Sequence, residues 1–359
     1  LNEEMYPIRK DRAFYPTLRI LNFFGLYSPN VKKSCINFVV VRAIIRNIWT
    51  LDALLLVILS GINEDYFMLT QAIPVLLGVL VINTTNLLFD CNQKTLSDLL
   101  LSVSDWTFGK PPGYDHLQKT GDRVGLIYIV SFEIGYEDLC GYVVPLWWPP
   151  IFERTILNRR IALVIILINV AAISPFALIT TLNLQVFKHI DSKVEHMLLL
   201  LDEIPNCTTE EEQMECFKKV IQYHQHIISL SGKLNNFCKR TVGHVTFSTA
   251  VVIGFLSYHV ILGNYDFILY VILYFFYLWF MCYPGQLLED RMLSIGDRLY
   301  FSHWQECSLQ IRKMIPFVLL RCCKPVKLDA IPVGKLNNAL FLAVVKSTFS
   351  YFSLLNQTL

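Results

Sequence analysis

The sequence predicts an all-α membrane protein of seven transmembrane helices, and three observations carry that prediction. The 359 residues are 54% hydrophobic and 13% aromatic, with a mean hydropathy of +0.45. A soluble globule carries about a quarter charged residues, against 17% here. Seven stretches reach the roughly 20 apolar residues needed to cross about 30 Å of hydrocarbon, and Lys and Arg gather in alternate loops, which sets orientation.

The elements follow in chain order. Residues 1–35 are polar and basic, with Arg9, Lys10, Arg12, Arg19, Lys32 and Lys33. They contain no apolar core of the kind a secretory signal needs, so the first span inserts the chain. The chain opens on Leu1 rather than Met, as a trimmed N-terminus would. The spans run near 36–60, 66–89, 124–148, 161–187, 241–262, 267–288 and 332–355. Glu133, Glu137 and Asp138 interrupt the third, and the seventh begins with Pro332, Gly334 and Lys335, which places its start below the bilayer.

Orientation comes from the loops. Lys94, Lys110 and Lys119 follow the second span; Lys188, Lys193, Lys218, Lys219, Lys233, Lys239 and Arg240 follow the fourth; Arg291, Arg298, Arg312, Lys313, Arg321, Lys324 and Lys327 follow the sixth. These share one side with the basic N-terminal segment. The other side holds GINED (61–65), the loop with Arg154, Arg159 and Arg160, and GNYD (263–266). The N-terminus is therefore cytoplasmic and the C-terminus extracellular, the reverse of a G-protein-coupled receptor. The organisation is a cytoplasmic segment (1–35), helices 1 to 4 (36–187), a cytoplasmic helical loop (188–240), helices 5 and 6 (241–288), cytoplasmic helices (289–331) and helix 7 (332–359).

The cytoplasmic segments carry helical apolar faces. From Cys216, residues Phe217, Val220, Ile221, His224, Ile227, Ile228, Leu234 and Phe237 recur at spacings of three and four, an amphipathic helix that continues toward the fifth span. Leu293, Leu299, Tyr300, Trp304, Leu309 and Ile315 repeat the pattern after the sixth. Two such faces beneath the membrane make a compact helical domain, packed within the chain or between subunits.

Chemistry-bearing motifs are sparse. Glu133 and Glu137 stand four apart beside Asp138, an acidic group that is costly within a span unless hydrated or bonded to a neighbouring helix. His224 and His226 stand two apart, on different sides of a helix, and no CxxC or HExxH accompanies them, so no metal or other cofactor is expected. Cys35, Cys91, Cys207, Cys216, Cys238, Cys307, Cys322 and Cys323 fall in or near cytoplasmic segments and should stay reduced. No GxSxG, P-loop or GxGxxG is present, which argues against an enzyme, and the net charge of +2 gives no bulk basic surface for nucleic acid.

HQHIISLSGKLNNF before the fifth span, RLYFSHWQEC after the sixth, LLRCCKPVKLDA before the last and VKSTFSYFSLL at the end resemble, in that order, the signature of insect odorant receptors. The resemblance is specific over the C-terminal third and covers the rest in layout. It implies a ligand-tuning subunit of a tetrameric, ligand-gated, non-selective cation channel, paired with the shared co-receptor Orco in the dendritic plasma membrane of olfactory neurons. It implies an anchor domain formed by cytoplasmic extensions of helices 4 to 7, with His224, Tyr300 and Trp304 at recurrent assembly positions, and a pore lined by helix 7. Along that helix Ser347, Ser350, Leu354 and Gln357 fall near one face, with Phe349, Phe352 and Leu355 away from it; Leu354 matches the family's hydrophobic gate, where an apolar ring excludes ions by dewetting. The serines also allow a plainer reading, as hydroxyls bonding helix carbonyls or small residues for close packing.

A small volatile ligand is expected among the outer halves of helices 2 to 6. Candidates there are Phe67, Met68, Gln71, Val75, Tyr136, Leu139, Cys140, Val143, Trp147, Ile168, Asn169, Ala172, Ile173, Tyr258, His259, Tyr270 and Tyr274, apolar walls with a few donors. A gustatory receptor of the same superfamily, a seven-helix G-protein-coupled receptor and a transporter are the competing readings. The G-protein-coupled reading fails on orientation and on missing DRY and NPxxY patterns. A transporter would show internal repeats or broken helices. The final TFSYFSLL favours the odorant branch over the gustatory one.

Overall fold

The computed structural model describes residues 5–9, 13–23, 27, 36–111, 178, 181–331 and 333–358. Helix α1 (Tyr15–Phe23) precedes a hairpin of two long apolar helices, α2 (Ile36–Ile62) and α3 (Tyr66–Cys91). The turn between them puts Glu64 at φ 55°. Asp65 then starts α3 by accepting the Met68 N–H at 3.0 Å, which satisfies one of the donors every helix start leaves open. Helix α4 (Gln93–Val103) continues after Asn92.

Residues 181–202 form the next helix, α5, and a one-turn 3-10 segment (Ile204–Asn206) leads into α6 (Glu210–Thr241). Thr209 and Glu212 close a reciprocal capping box there, and Glu210, Glu211 and Glu212 fill the first turn while Lys239 and Arg240 fill the last. Both charge placements oppose the helix dipole. Helix α7 (Gly243–Ile261) follows almost without a break, then α8 (Ile268–Phe301), a 3-10 turn (Trp304–Glu306), α9 (Leu309–Cys322), a two-residue hairpin of β1 (Asp329–Ala330) and β2 (Gly334–Lys335), and α10 (Asn338–Thr358).

Helix α3 packs on α2 and α7, α7 packs on α8, and α10 lies against both α7 and α8. These are the elements expected to cross the membrane, and their apolar side chains face outward: Ile44, Ile48, Leu51 and Ile58 on α2 and Ile272 and Phe276 on α8 are all exposed, as lipid-facing residues should be. Among the described residues two helices, α3 and α7, are long and apolar enough throughout to cross a bilayer, and a shorter apolar run covers Thr50–Ile62. Helix α2 opens with Arg42, Arg46 and Asp52, so its apolar part is its second half. The third span and its acidic group Glu133, Glu137 and Asp138 lie outside the described residues, as does all but the end of the fourth.

The principal core sits at the other end of the bundle. It joins Phe14, just before α1, and Leu18 and Leu21 of α1 to Leu96, Leu99 and Leu100 of α4, Ile190 and Val194 of α5, Phe217, Tyr223, Ile227 and Leu230 of α6, Leu288, Met292 and Ile295 of α8 and Ile311 and Ile315 of α9. Helix α8 continues from its apolar half into this core; 34 residues at 1.5 Å each span roughly 50 Å, more than a bilayer needs. Arg291 on that extension meets Asp191 of α5 at 2.7 Å, and Lys327 pairs with Glu289, so part of the basic charge counted in the loops holds helices together.

Two expectations change. The N-terminal segment is not a mere basic tail: Tyr6 and Tyr27 are fully buried, the Tyr6 N–H donates to Ser97 Oγ at 2.7 Å and the Tyr27 hydroxyl donates to the Tyr6 carbonyl at 2.9 Å. The last helix starts at Asn338 rather than at 332, because the hairpin takes up residues 329–335; Gly334 at φ 119° lets the chain reverse there.

Candidate functional site

At the end of the bundle away from the large core, α3, α7 and the turn before α8 bring aromatic rings together. His259, fully buried on α7, stacks on Phe267 with centroids 4.7 Å apart and takes the edge of Phe67 from α3 at 5.7 Å, with Tyr258 at 6.1 Å. Neither ring nitrogen of His259 has a hydrogen-bond partner among the described residues. Met68, Gln71 and Val75 are half-buried along the same helix as Phe67. Phe67, Tyr258 and His259, candidates from the sequence, are thus in one cluster. Phe267 is a member that the sequence reading missed: it stands at the first position of the sixth span, 267–288, where the structure forms a short 3-10 turn (Tyr265–Phe267) before α8.

Tyr274 belongs to a different group. It packs beside the small cluster of Ile253, Leu278, Cys282 and Val344, with Phe275, Leu340 and Phe341 around it, so it lies between α8 and the terminal helix. Tyr270 is one turn earlier on α8. Tyr136, Leu139, Cys140, Val143, Trp147, Ile168, Asn169, Ala172 and Ile173 lie outside the described residues.

Helix α10 has two faces. Val344 and Thr348, four apart, are buried against α7 and α8, whereas Leu342, Lys346, Ser347, Phe349 and Ser350 are exposed. The Ser347 hydroxyl donates to the Ala343 carbonyl at 2.8 Å and the Ser350 hydroxyl to the Lys346 carbonyl at 2.9 Å. Those bonds use the hydroxyl protons and leave oxygen lone pairs outward. Ser347 and Ser350 lie away from the side of Val344 and Thr348, and Leu354, Leu355 and Gln357 stand further along the same helix. The polar line therefore points away from its own subunit's helices.

The three assembly candidates separate. His224 is buried on α6; burial, reinforced by the Arg321 charge, pushes its pKa down to about 4. Tyr300 is 58% exposed and Trp304 is half-buried, its indole N–H donating to the Tyr300 carbonyl at 3.1 Å. Phe301 at the end of α8 and Leu309, Phe317 and Leu320 on α9 are exposed as well, large apolar side chains on the α8–α9 hook. His224 is a core residue of its own chain; the aromatic pair is at the surface.

A second feature, at the large-core end of the bundle, was not legible in the sequence. The loop after α4 is held by Lys193 of α5, which is 1% exposed, donates from Nζ to the Asp105 carbonyl and stands 4.1 Å from the Trp106 ring centroid. Burial pushes the Lys193 ammonium down to about 8. Phe108 stacks on Tyr223 at 4.5 Å, and His196 Nδ1 lies 3.3 Å from the Tyr223 hydroxyl. Gly109, at φ 99°, turns the chain beside His196. Among the described residues no group of three or more His, Cys, Asp and Glu is placed to hold a metal.

Comparison with known proteins gives a consistent result. A family profile described as 7tm Odorant receptor matches residues 126–349. Odorant receptor 67c of Drosophila melanogaster is 21% identical over 45% of this chain and 42% of its own length, and Odorant receptor 82a of the same species is 23% identical over 57% of this chain and 53% of its own length. The chain thus spans about half or less of the curated relatives it matches. The insect olfactory receptor OR5 from Machilis hrabei superposes with a TM-score of 0.71 at 13% identity, covering 96% of both chains. Its complex with eugenol gives 0.70 at 12% identity, over 96% of this chain and 100% of that one.

Proposed function

The chain belongs to the insect odorant receptor family, a family of olfactory membrane receptors rather than enzymes, and from that premise we propose that it is the ligand-tuning subunit of a cation channel assembled with the co-receptor Orco. The observation that carries this reading is the two-faced α10. Val344 and Thr348 lock the helix to α7 and α8, while Ser347 and Ser350 turn toward whatever lies beyond the subunit. A helix that crosses a membrane with an outward polar line needs water or a partner on that side, and a pore shared between subunits supplies both.

The ligand is a small, mostly apolar volatile held near Phe67, Met68, Gln71, Val75, Tyr258 and His259, with the candidates on helices 3 and 4 completing the walls. Tyr274 then connects this zone to α10 through the Ile253, Leu278, Cys282 and Val344 cluster. Leu354 is the apolar gate and Gln357 the outer polar lining. Tyr300, Trp304 and the exposed apolar side chains on α8 and α9 make the subunit contact in the cytoplasmic anchor, with His224 supporting it from within.

The experiment records current from cells expressing the chain with and without Orco across a panel of volatiles, normalised to surface protein. Leu354→Ser should raise ligand-independent current in the co-expressed complex by wetting the constriction. Gln357→Lys should reduce cation passage with odorant potency nearly unchanged. Odorant-evoked current that both variants leave at the parent level would remove α10 from the pore.

A further inference from the structure

Two cysteines at the start of α6 face each other. Cys207 ends the 3-10 turn Ile204–Asn206, and Cys216 lies two turns into α6; their sulfurs are 3.6 Å apart, in a geometry that lets the Cys207 thiol donate to Cys216 Sγ. Local chain chemistry produces the approach. Side chains on a helix lean toward its N-terminus, so Cys216 hangs over the first turn, and Glu212 folds the incoming chain back onto that turn. Its Oε2 accepts the N–H groups of Thr208 and Thr209 at 3.1 and 3.3 Å and the Thr208 hydroxyl at 2.8 Å, while Thr209 Oγ1 accepts the Glu212 N–H at 3.2 Å. Cys207 itself is in extended backbone, with φ −68° and ψ 139°, and belongs to no helix. Small rotations there close the remaining distance to the roughly 2 Å of an S–S bond.

We propose that Cys207 and Cys216 are a reversible dithiol–disulfide pair, a modification site that staples the N-terminus of α6 when the chain meets a peroxide. The Cys216 thiolate attacks a peroxide oxygen, the O–O bond breaks, and the leaving oxygen takes up, through solvent, the proton that Cys216 gave up and departs as water or an alcohol. Cys216 is then a sulfenic acid. The Cys207 sulfur attacks the Cys216 sulfur, the S–O bond breaks, and the hydroxyl leaves as water with the Cys207 proton. Cys216 is fixed on α6 whereas Cys207 sits on extended backbone outside any helix and can swing toward it, which gives the attacking role to Cys216 and the resolving role to Cys207. The staple has a route to the α8–α9 hook, because Gln213, between the two cysteines, accepts the Ser308 N–H at 3.2 Å next to the buried Cys307.

The test uses membranes from cells expressing the full chain, exposed to dilute hydrogen peroxide, then denatured in N-ethylmaleimide, digested and analysed by mass spectrometry. The expected product is a Cys207–Cys216 bond that becomes the major form of that segment and reverts with dithiothreitol, while the buried Cys238 remains a free thiol capped by maleimide. In Cys207→Ser the Cys216 sulfenic acid should persist and be trapped by dimedone. Recovery of both thiols fully alkylated after peroxide, or a bond from either one to Cys307 in place of this pair, overturns the assignment.

Discussion

His224 shows how one side chain ties the principal core to pH. Burial holds its imidazole neutral, with a pKa of about 4 against an ordinary 6.5, so between those values the unfolded chain binds a proton that the folded chain refuses. Stability is therefore intact above pH 6.5 and is lost as pH falls, by about 3 kcal/mol once pH is below 4. Detergent-purified protein should lose several degrees of thermal midpoint between pH 7 and 4.5, and His224→Leu should remove part of that loss. Part will remain, because burial also pushes His189 down, to about 3. A midpoint equally acid-sensitive in His224→Leu would show that His224 is hydrated in solution. The spacing of the apolar face made His224 visible in the sequence. Its role inside the chain rather than between chains was not, since periodicity tells which side of a helix is covered and not by what.

At the scale of elements, two glycines decide how the segment before the terminal helix docks. A Cβ on Gly243, the first residue of α7, would stand 1.9 Å from the Ile331 carbonyl oxygen, and one on Gly285 of α8 would stand 1.9 Å from that of Leu336. Both obstacles are backbone, which cannot rotate away. Gly243→Ala and Gly285→Ala should each destabilise by at least about 1–3 kcal/mol, the usual cost of overpacking, and displace the β1–β2 hairpin on which α10 begins. Gly254→Ala is the control: nothing lies within 4 Å of its Cβ, and removing a mid-helix glycine should stabilise by roughly 0.5–1 kcal/mol. Thermal midpoints of the three variants check the ordering, and equal values would mean the hairpin does not dock as described. In the sequence Gly243 and Gly285 look like any other glycine near a span, because a close approach involves residues about 50 to 90 positions away.

At the scale of the molecule, the packed core and the outward-facing apolar helices divide the chain into a part built for water and a part built for lipid. In water apolar side chains turn inward, as Phe217, Tyr223 and Ile227 do; in lipid they turn outward, as Ile48 and Phe276 do. The orientation proposed from Lys and Arg has a direct test. An epitope inserted in the turn at 263–265 should be stained on intact cells, and one inserted at 207–209 should require permeabilisation; the opposite pattern would invert the topology.

The amino-acid sequence by itself determined the helical class, the apolar runs that became α2, α3, α7, α8 and α10, the amphipathic α6 and the polar line of the terminal helix. Each is a matter of local composition and period, and period survives without knowledge of neighbours. Three arrangements were decided only by the tertiary structure: the burial of Tyr6 and Tyr27 by α1 and α4, the capture of the 104–110 loop by Lys193, and the meeting of Phe67, His259 and Phe267. Each joins residues far apart in the chain. Neither partner carries a mark of the other until the helices pack, because the free energy of such contacts comes from the water and apolar surface excluded between them rather than from either segment alone.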